Sequence, residues 1–445
     1  MRLTLLEILE ATGGGEVGGT QVGNTFSTFH TDSRKVQKGG VFFALRGAET
    51  DGHRFISDAI SRGATCVVVQ RRTDIPSGIA EVMVPNTWTA MFALASYVLR
   101  RVDPLVVAVT GSNGKTSTKE MVAAILAQHF SVLHTQGNLN TETGVPLTLL
   151  SLEPDHTAVV LEMGMQHPGD IGRLAALARP SIGVITNVGV VHIEFFSSRE
   201  DLARAKGELV AALAENGLAV LNADNEFFPL LVSMTAARVA SFGQYRGDYR
   251  VEDYRALPEG GAEFSIRGVP VRLAMEGRHQ ALNAAAALAA CEFAGVPLET
   301  GASALAGVNV EHRLQELPAQ GGYVIVDDAY NASPESMLAA FEAMRESAHE
   351  GRLLAVLGEM RELGGLAAEA HQKVGEQAAA TFDSVCVIES EQGRILAYAA
   401  RAEVVPDRAA AAEWVRRNAH EGDRVLIKAS HGMHLEEVVR ELTAS

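Results

Sequence analysis

At 445 residues the chain exceeds what one ordinary hydrophobic core supports, so two or three domains are expected. Hydrophobic residues make up 47% and charged residues 21%, the balance of a soluble globular protein. Lys and Arg number 38 against 54 Asp and Glu, a net charge of −16. With no basic surplus to displace counterions, a nucleic-acid partner is excluded, whereas a local basic pocket for a phosphorylated metabolite is not.

The opening MRLTLLEILEATGGG carries Glu7 and Glu10 where a secretory leader would be apolar. No uncharged apolar run reaches the roughly 18 residues needed to span a bilayer, so no membrane insertion and a cytoplasmic location are expected. Cys66, Cys291 and Cys386 lie far apart in apolar surroundings and read as buried free thiols. In residues 1–84, GGVFFAL (39–45) and CVVVQ (66–70) read as strands, with a helix at FISDAISRG (55–63) between them. NTWTAMFALASYVLR (86–100) has helical periodicity behind an Asn cap and lies between Pro85 and Pro104, which puts a domain boundary near 85.

Beyond it, the buried-strand patterns VVAVT (106–110), AVVLEM (158–163), IGVIT (182–186) and LAVLN (218–222) alternate with helical segments 115–129, 170–178 and 199–214. This alternation predicts a parallel sheet covered on both faces. The tract 247–275 reads as an antiparallel edge, and QALNAAAALAACEFAG (280–295) as a helix with Gly295 near its end. From about 313 the alternation resumes, with strands at 323–328, 352–360, 384–389 and 423–430 and a helix start at Pro334. A second, smaller doubly wound unit is expected there.

The chemistry starts at VAVTGSNGKTSTKEM (107–121). Gly111, Ser112, Asn113, Gly114, Lys115 and Thr116 follow a strand and open a helix. Glycines let backbone N–H groups approach phosphate oxygens, and the helix N-terminus adds about half a unit of positive charge. Lys115 can reach a β- or γ-phosphate and Thr116 can ligate Mg²⁺. Val109 stands where the longer phosphate-loop pattern has its first glycine; the short form GxxGK[ST] is intact. Such a loop specifies nucleotide triphosphate binding, not a reaction.

Three further residues qualify it. Glu162 ends a strand, where ligands bind in an α/β sheet. His192, between apolar neighbours, reads on its own segment as a core histidine, and Lys206, in LARAKGELV, as a snorkelling surface lysine. Only a shared position at one sheet edge makes them a metal site. A lysine cation at about 4 Å would repel Mg²⁺ by several kcal/mol at intermediate dielectric. The same lysine carbamylated by CO₂ would offer an anionic oxygen instead.

Taken together, DSRKVQKGGVFFALRGAETDGHRF (32–55), TGSNGKTSTKE (110–120), GNLNTETGVPLTLL (137–150), LEMGM (161–165), RPSIGVITNVGVVHIEFF (179–196), AKGEL (205–209), GRHQALNAAAA (277–287), EHR (311–313), DDAYNASPESM (327–337) and LGEMRELG (357–364) resemble the Mur ligase family over nearly the whole chain. Within it the chain is similar to the members that join D-Ala-D-Ala to a UDP-N-acetylmuramoyl-tripeptide in peptidoglycan precursor synthesis.

The resemblance implies an α/β protein of three domains. These are a small N-terminal UDP-sugar-binding domain (1–84), a central P-loop ATPase-like parallel-sheet domain (85–312) and a C-terminal Rossmann-like domain (313–445). It implies ATP, two Mg²⁺ ions and a carbamate on Lys206 as cofactors, and a monomer. It assigns Gly111 to Thr116, Asn283, Arg313, Asp328 and Asn331 to ATP, with Lys115 and Arg313 toward the γ-phosphate, Asn283 and Asn331 toward adenine and Asp328 toward ribose. It assigns Thr116, Glu162, His192 and Lys206 to the metals, and Ser33, Arg34 and Asn138 to the UDP-linked substrate. The chain departs from the family at Asn140-Thr141, often two asparagines, and at Lys428-Ala429-Ser430-His431, often KGSR. Two other readings fit parts of the pattern. One is a ligase adding a single amino acid to a muramoyl peptide or a folate; the other is a nucleotide switch that forms no bond.

Overall fold

The computed structural model describes residues 1–16, 24–47, 50–258, 260–347 and 350–443. Of the segment 32–55, residues 48 and 49 fall outside that description. The chain forms two compact units. The first comprises Met1–Ala108, Phe130–Met165 and Asp170–Ser181; the second comprises Val109–His129, Gln166–Gly169 and Ile182–Ser445.

In the first unit, five strands order as Gly15–Glu16, Ala80–Met83, Ala64–Val69, Gly40–Phe43 and Phe29–His30. All pairings but the first are parallel. The strand Ala64–Val69 reads ATCVVV, and Cys66 and all three valines are buried, as a central parallel strand requires. The helix over 55–63 is shorter than its pattern: a 3₁₀ turn Gly52–Phe55, capped by the Asp51 carboxylate, leads into Ile56–Ser61. Helix Thr87–Val102 begins where expected, because Asn86 Oδ1 accepts the Thr89 N–H at 2.9 Å, a cap worth about 1 kcal/mol. It packs Met91, Leu94, Ala95 and Val98 inward. Strands Val132–His134 and Ala158–Glu162 pair in parallel, and helix Gly144–Leu150, apolar without clear period, escaped the sequence pattern.

In the second unit, Ile182–Ile185, Leu218–Asn222, Arg238–Gly243 and Tyr249–Ala256 are successive parallel neighbours. Ala262–Ile266 and Val269–Leu273 then add an antiparallel margin, the edge expected over 247–275. Strand Arg238–Gly243 was missed because only its last two residues are buried. The alanine-rich helix runs Arg278–Phe293, and its residues from Ala284 to Cys291 are all buried. Alanines permit close approach to the helix Lys115–Leu126.

The later region of this unit forms a six-stranded sheet. Its order is Gln315–Pro318, Val324–Asp327, Arg424–Lys428, Leu353–Leu357, Ser384–Ile388 and Glu403–Val405. Only the first pairing is antiparallel, so the doubly wound expectation holds with one added edge strand. Apolar clusters cover both of its faces, one around Phe341 and Phe382, the other around Trp414 and Leu435. The three cysteines are buried and free. Among the described residues, no helix is long and apolar enough to cross a membrane.

Candidate active site

The loop Gly111–Thr116 is held open by its own backbone. Gly111 has φ 151° and Gly114 φ 79°. A Cβ at Gly111 would stand 1.9 Å from Thr186 Oγ1, and one at Gly114 2.3 Å from Asn283 Oδ1, so a side chain at either position would force its neighbour aside. Around this turn the chain 186–189 acts as a brace. Asn113 N–H donates to Asn187 Oδ1 at 2.9 Å, Ser112 N–H to the Asn187 carbonyl at 3.0 Å, and Gly189 N–H to Ser112 Oγ at 2.9 Å. Helix Lys115–Leu126 starts with no side-chain cap, which leaves its first N–H groups directed at the loop. Lys115 Nζ donates to the carbonyls of Gly111 at 2.9 Å and Ser112 at 3.2 Å, so the ammonium lies folded over the turn where a phosphate would sit.

Lys206 lies in helix Arg199–Ala211 and is 1% exposed, which rules out the snorkelling surface lysine. Burial, reinforced by the nearby Lys115 cation, pushes its ammonium well below the usual lysine range. His192 takes a left-handed backbone (φ 69°), and its Nδ1 faces the Glu362 carboxylate. That histidine first, and Lys115 as well, hold Glu362 below the usual carboxylate range. Lys115, Lys206, His192 and Glu362 are therefore one electrostatic neighbourhood. Glu162 belongs to the first unit; it is 2% exposed, and its carboxylate accepts Asn140 Nδ2 at 2.8 Å.

A second constellation gathers on the six-stranded sheet. Asp328 Oδ2 accepts from Lys428 Nζ at 2.5 Å, and the same ammonium donates to the Asn331 carbonyl at 2.9 Å. The Arg313 guanidinium lies 4.2 Å from the centroid of the Tyr330 ring. Burial lowers His279 to about 4; the Asp328 charge opposes that shift, and the Lys428 and Arg313 cations add to it. Asn283 is buried, and its Nδ2 donates to Gln280 Oε1 at 3.0 Å. Two contacts tie this region to the loop's surroundings: Ser333 Oγ to Asn113 Oδ1 at 3.1 Å, and Val190 N–H to Glu335 Oε1 at 2.9 Å.

The candidates for the UDP-linked substrate lie in the first unit. Ser33 is buried, Asn138 is exposed, and Arg34 is bound to Asp32 through Nε at 2.9 Å and Nη2 at 2.8 Å. Sequence reasoning missed Lys428, His279, Tyr330, Glu335 and Glu362 as members of these clusters. All five fall inside or beside motif segments, but nothing in their spacing announces their partners.

Mg²⁺ takes oxygen ligands and commonly completes its shell with waters and substrate phosphates. The Thr116 hydroxyl and the Glu162 carboxylate are such donors. Among the described residues no group of three or more His, Cys, Asp and Glu could hold a metal by itself. The Thr116 hydroxyl, at the start of the helix that follows the phosphate loop, is placed to serve an ion that arrives with nucleotide phosphates.

Comparison with known proteins gives the chain a family. The family described as Mur ligase family, catalytic domain, matches residues 26–130; the Mur ligase middle domain matches 109–291; and the Mur ligase, glutamate ligase domain, matches 312–431. A UDP-N-acetylmuramoyl-tripeptide–D-alanyl-D-alanine ligase of Bacillus subtilis is 35% identical over 427 residues, covering 93% of each chain. The crystal structure of MurF from Acinetobacter baumannii superposes with a TM-score of 0.89 at 28% identity, covering 100% of this chain and 99% of that one. The MurF ligase of Thermotoga maritima in complex with ADP gives 0.83 at 31% identity, covering 94% and 97%. A phosphate loop, its buried lysine companion and a likeness that spans the chain from end to end place this protein in the Mur ligase family.

Proposed function

We propose that the chain joins D-Ala-D-Ala to UDP-N-acetylmuramoyl-tripeptide, converting ATP to ADP and phosphate, in the cytoplasmic synthesis of peptidoglycan precursor. The observation that carries this reading is the pairing of the Lys115 loop with a buried Lys206, supported by near full-length likeness to ligases of that name. A carboxylate is a poor acyl donor because its leaving group would be oxide. In the first step a carboxylate oxygen of the tripeptide attacks the γ-phosphorus, the bond to ADP breaks, and an acyl phosphate forms. The dipeptide amine then attacks the carbonyl carbon; phosphate leaves and the nitrogen loses a proton.

Both steps gather negative charge on oxygen. Lys115, lifted from the carbonyls of Gly111 and Ser112, and Arg313 supply the fixed cations that stabilise it. Thr116, Glu162 and His192 would hold two Mg²⁺ ions, which would supply positive charge against the phosphate oxygens. Lys206, as a carbamate, would add an anionic oxygen for those ions. Its depressed basicity supports this reading, because a neutral amine adds CO₂ and releases one proton, whereas an ammonium does not. Asn283, Asp328 and Asn331 hold the nucleoside. Residues 1–84, with Ser33 and Arg34, take the UDP end, Asn138 lies along the peptide, and residues 313–445 close over ATP and exclude water from the acyl phosphate. The protein acts as a monomer.

A substrate panel tests the reading. Phosphate release from ATP in the presence of UDP-muramoyl-tripeptide is expected only with D-Ala-D-Ala. Release with meso-diaminopimelate or glutamate in its place would reject it in favour of a ligase for a single amino acid.

A further inference from the structure

Arg313 stands between two non-glycine residues with left-handed backbone, His312 at φ 57° and Leu314 at φ 51°. Such conformations are sparsely populated and persist where the surroundings over-determine them. Here the surroundings are identifiable. Leu314 is buried in the core on one face of the six-stranded sheet. Strand Gln315–Pro318 pairs with Val324–Asp327, with Gln315 opposite Asp327. His312 Nδ1 meets Asp327 Oδ2 at 2.6 Å, and the other oxygen of that carboxylate accepts the Ala329 N–H at 3.0 Å. Asp327 is fully buried. One carboxylate thus links the residue before Arg313 to the turn that carries Asp328, Tyr330 and Asn331. Lys428 fixes the far side of that turn through Asp328 and the Asn331 carbonyl. The Arg313 guanidinium then rests against the Tyr330 ring of the same turn.

We propose that Asp327 is a positioning residue of the ligase reaction: through its bond to His312 it sets the backbone that aims the Arg313 guanidinium. This inference rests on the reading above that Arg313 serves the transferred phosphate. Asp327 touches no reactant. It differs in this from its neighbour Asp328, whose carboxylate is turned to Lys428. An amide at position 327 keeps the shape and removes the negative charge; with its oxygen on the Ala329 N–H, its NH₂ can be met only by a neutral His312 whose Nδ1 accepts, so the carboxylate link that fixes the ring is lost.

The test uses the full chain with Asp327→Asn, Arg313→Ala and the double variant, assayed for kcat and for KM of ATP by dipeptide-dependent phosphate release. Arg313→Ala is expected to lower kcat by about 10²- to 10³-fold. Asp327→Asn is expected to lower it by about 10- to 100-fold, the scale of a misplaced reacting group. The double variant should be no slower than Arg313→Ala alone, because the aspartate acts through the arginine. His312→Leu, at a half-exposed side chain, removes the ring's hydrogen-bonding atoms, cuts the same link from the other side and serves if Asp327→Asn does not fold. Losses that multiply in the double variant, or a kcat unchanged in His312→Leu, would overturn the proposal while the phosphate role of Arg313 stands. An Arg313→Ala protein with unaltered kcat and KM would instead remove that role, and the proposal with it.

Discussion

The loop 111–116 and the segment 312–331 each place a cation, Lys115 in one and Arg313 in the other, and they do so by different physics. The loop relies on absent side chains: two glycines in conformations closed to other residues, an uncapped helix start, and a lysine resting on its own carbonyls. The segment relies on present ones. Non-glycine residues hold positive φ, a buried carboxylate bridges two stretches of chain, and an aromatic ring receives the guanidinium. The first arrangement is a tight turn braced by residues 186–189, whereas the second is a hairpin whose strands Gln315–Pro318 and Val324–Asp327 bring its side chains together. Damage to the loop should therefore be severe and confined to phosphate chemistry, and damage to the segment should be graded.

The largest effect is expected for Lys115→Met, which removes the loop's cation and keeps its stem. Turnover should fall by about 10³-fold with a far smaller effect on the melting temperature, because the methionine keeps the stem and the folded protein loses the ammonium's hydrogen bonds to two backbone carbonyls. A loss of stability equal to the loss of rate would show the lysine to be structural. Next comes Lys206→Ala, expected to cost about 10²-fold in turnover and to recover part of it in millimolar acetate, which can occupy the place of the carbamate. Full activity without acetate, or none with it, would set aside the carbamate role. Gly114→Ala is a milder insult. It meets Asn283 and a φ of 79°, a strain of about 1–3 kcal/mol, so calorimetry should show weaker ATP binding and a lower melting temperature. Unchanged ATP affinity would mean that the loop tolerates another geometry.

The smallest effect concerns what joins the two regions. Glu276 precedes the helix whose Asn283 abuts the loop, and it pairs at 3.0 Å with Arg424, on the strand beside Val324–Asp327. Burial lifts its carboxyl to about 7 against the pull of the Arg424 guanidinium, and Glu316 on the same guanidinium adds to the rise. A carboxyl raised in the folded state lends stability that is complete below its ordinary value of 4.5 and is lost as pH climbs through about 7. Set against its own melting temperature at pH 5, the wild type should therefore fare worse at pH 8 than Glu276→Gln does, whatever the buried histidines contribute to both. An equal change between the two pH values in both proteins would contradict the assignment.

The same contrast explains what could be read in the sequence. Parallel strands such as Ala64–Val69 and Leu218–Asn222 were legible because burial on both faces demands continuous apolar runs. The phosphate loop was legible because glycine, lysine and threonine at fixed spacing carry the chemistry themselves. Strand Arg238–Gly243, mostly half-exposed, has no such pattern. Lys206 could not be told from a surface lysine, since its helix offers Glu200, Arg204 and Glu208 on neighbouring positions and only tertiary packing decides which face is buried. Lys428, Tyr330 and Asp327 were hidden for the same reason. Each acquires its role from a partner elsewhere in the chain: Asp328 for Lys428, Arg313 for Tyr330 and His312 for Asp327.

Oxygen labelling tests the account at its centre. UDP-muramoyl-tripeptide carrying ¹⁸O in the carboxyl group that accepts the dipeptide would be turned over with ATP and D-Ala-D-Ala, and the released phosphate weighed by mass spectrometry. One ¹⁸O per phosphate is the expected result, because the oxygen that attacks phosphorus leaves with it when the amide forms. Phosphate free of label, alongside normal amide product, would contradict an acyl-phosphate route and with it the roles given to Lys115 and Arg313.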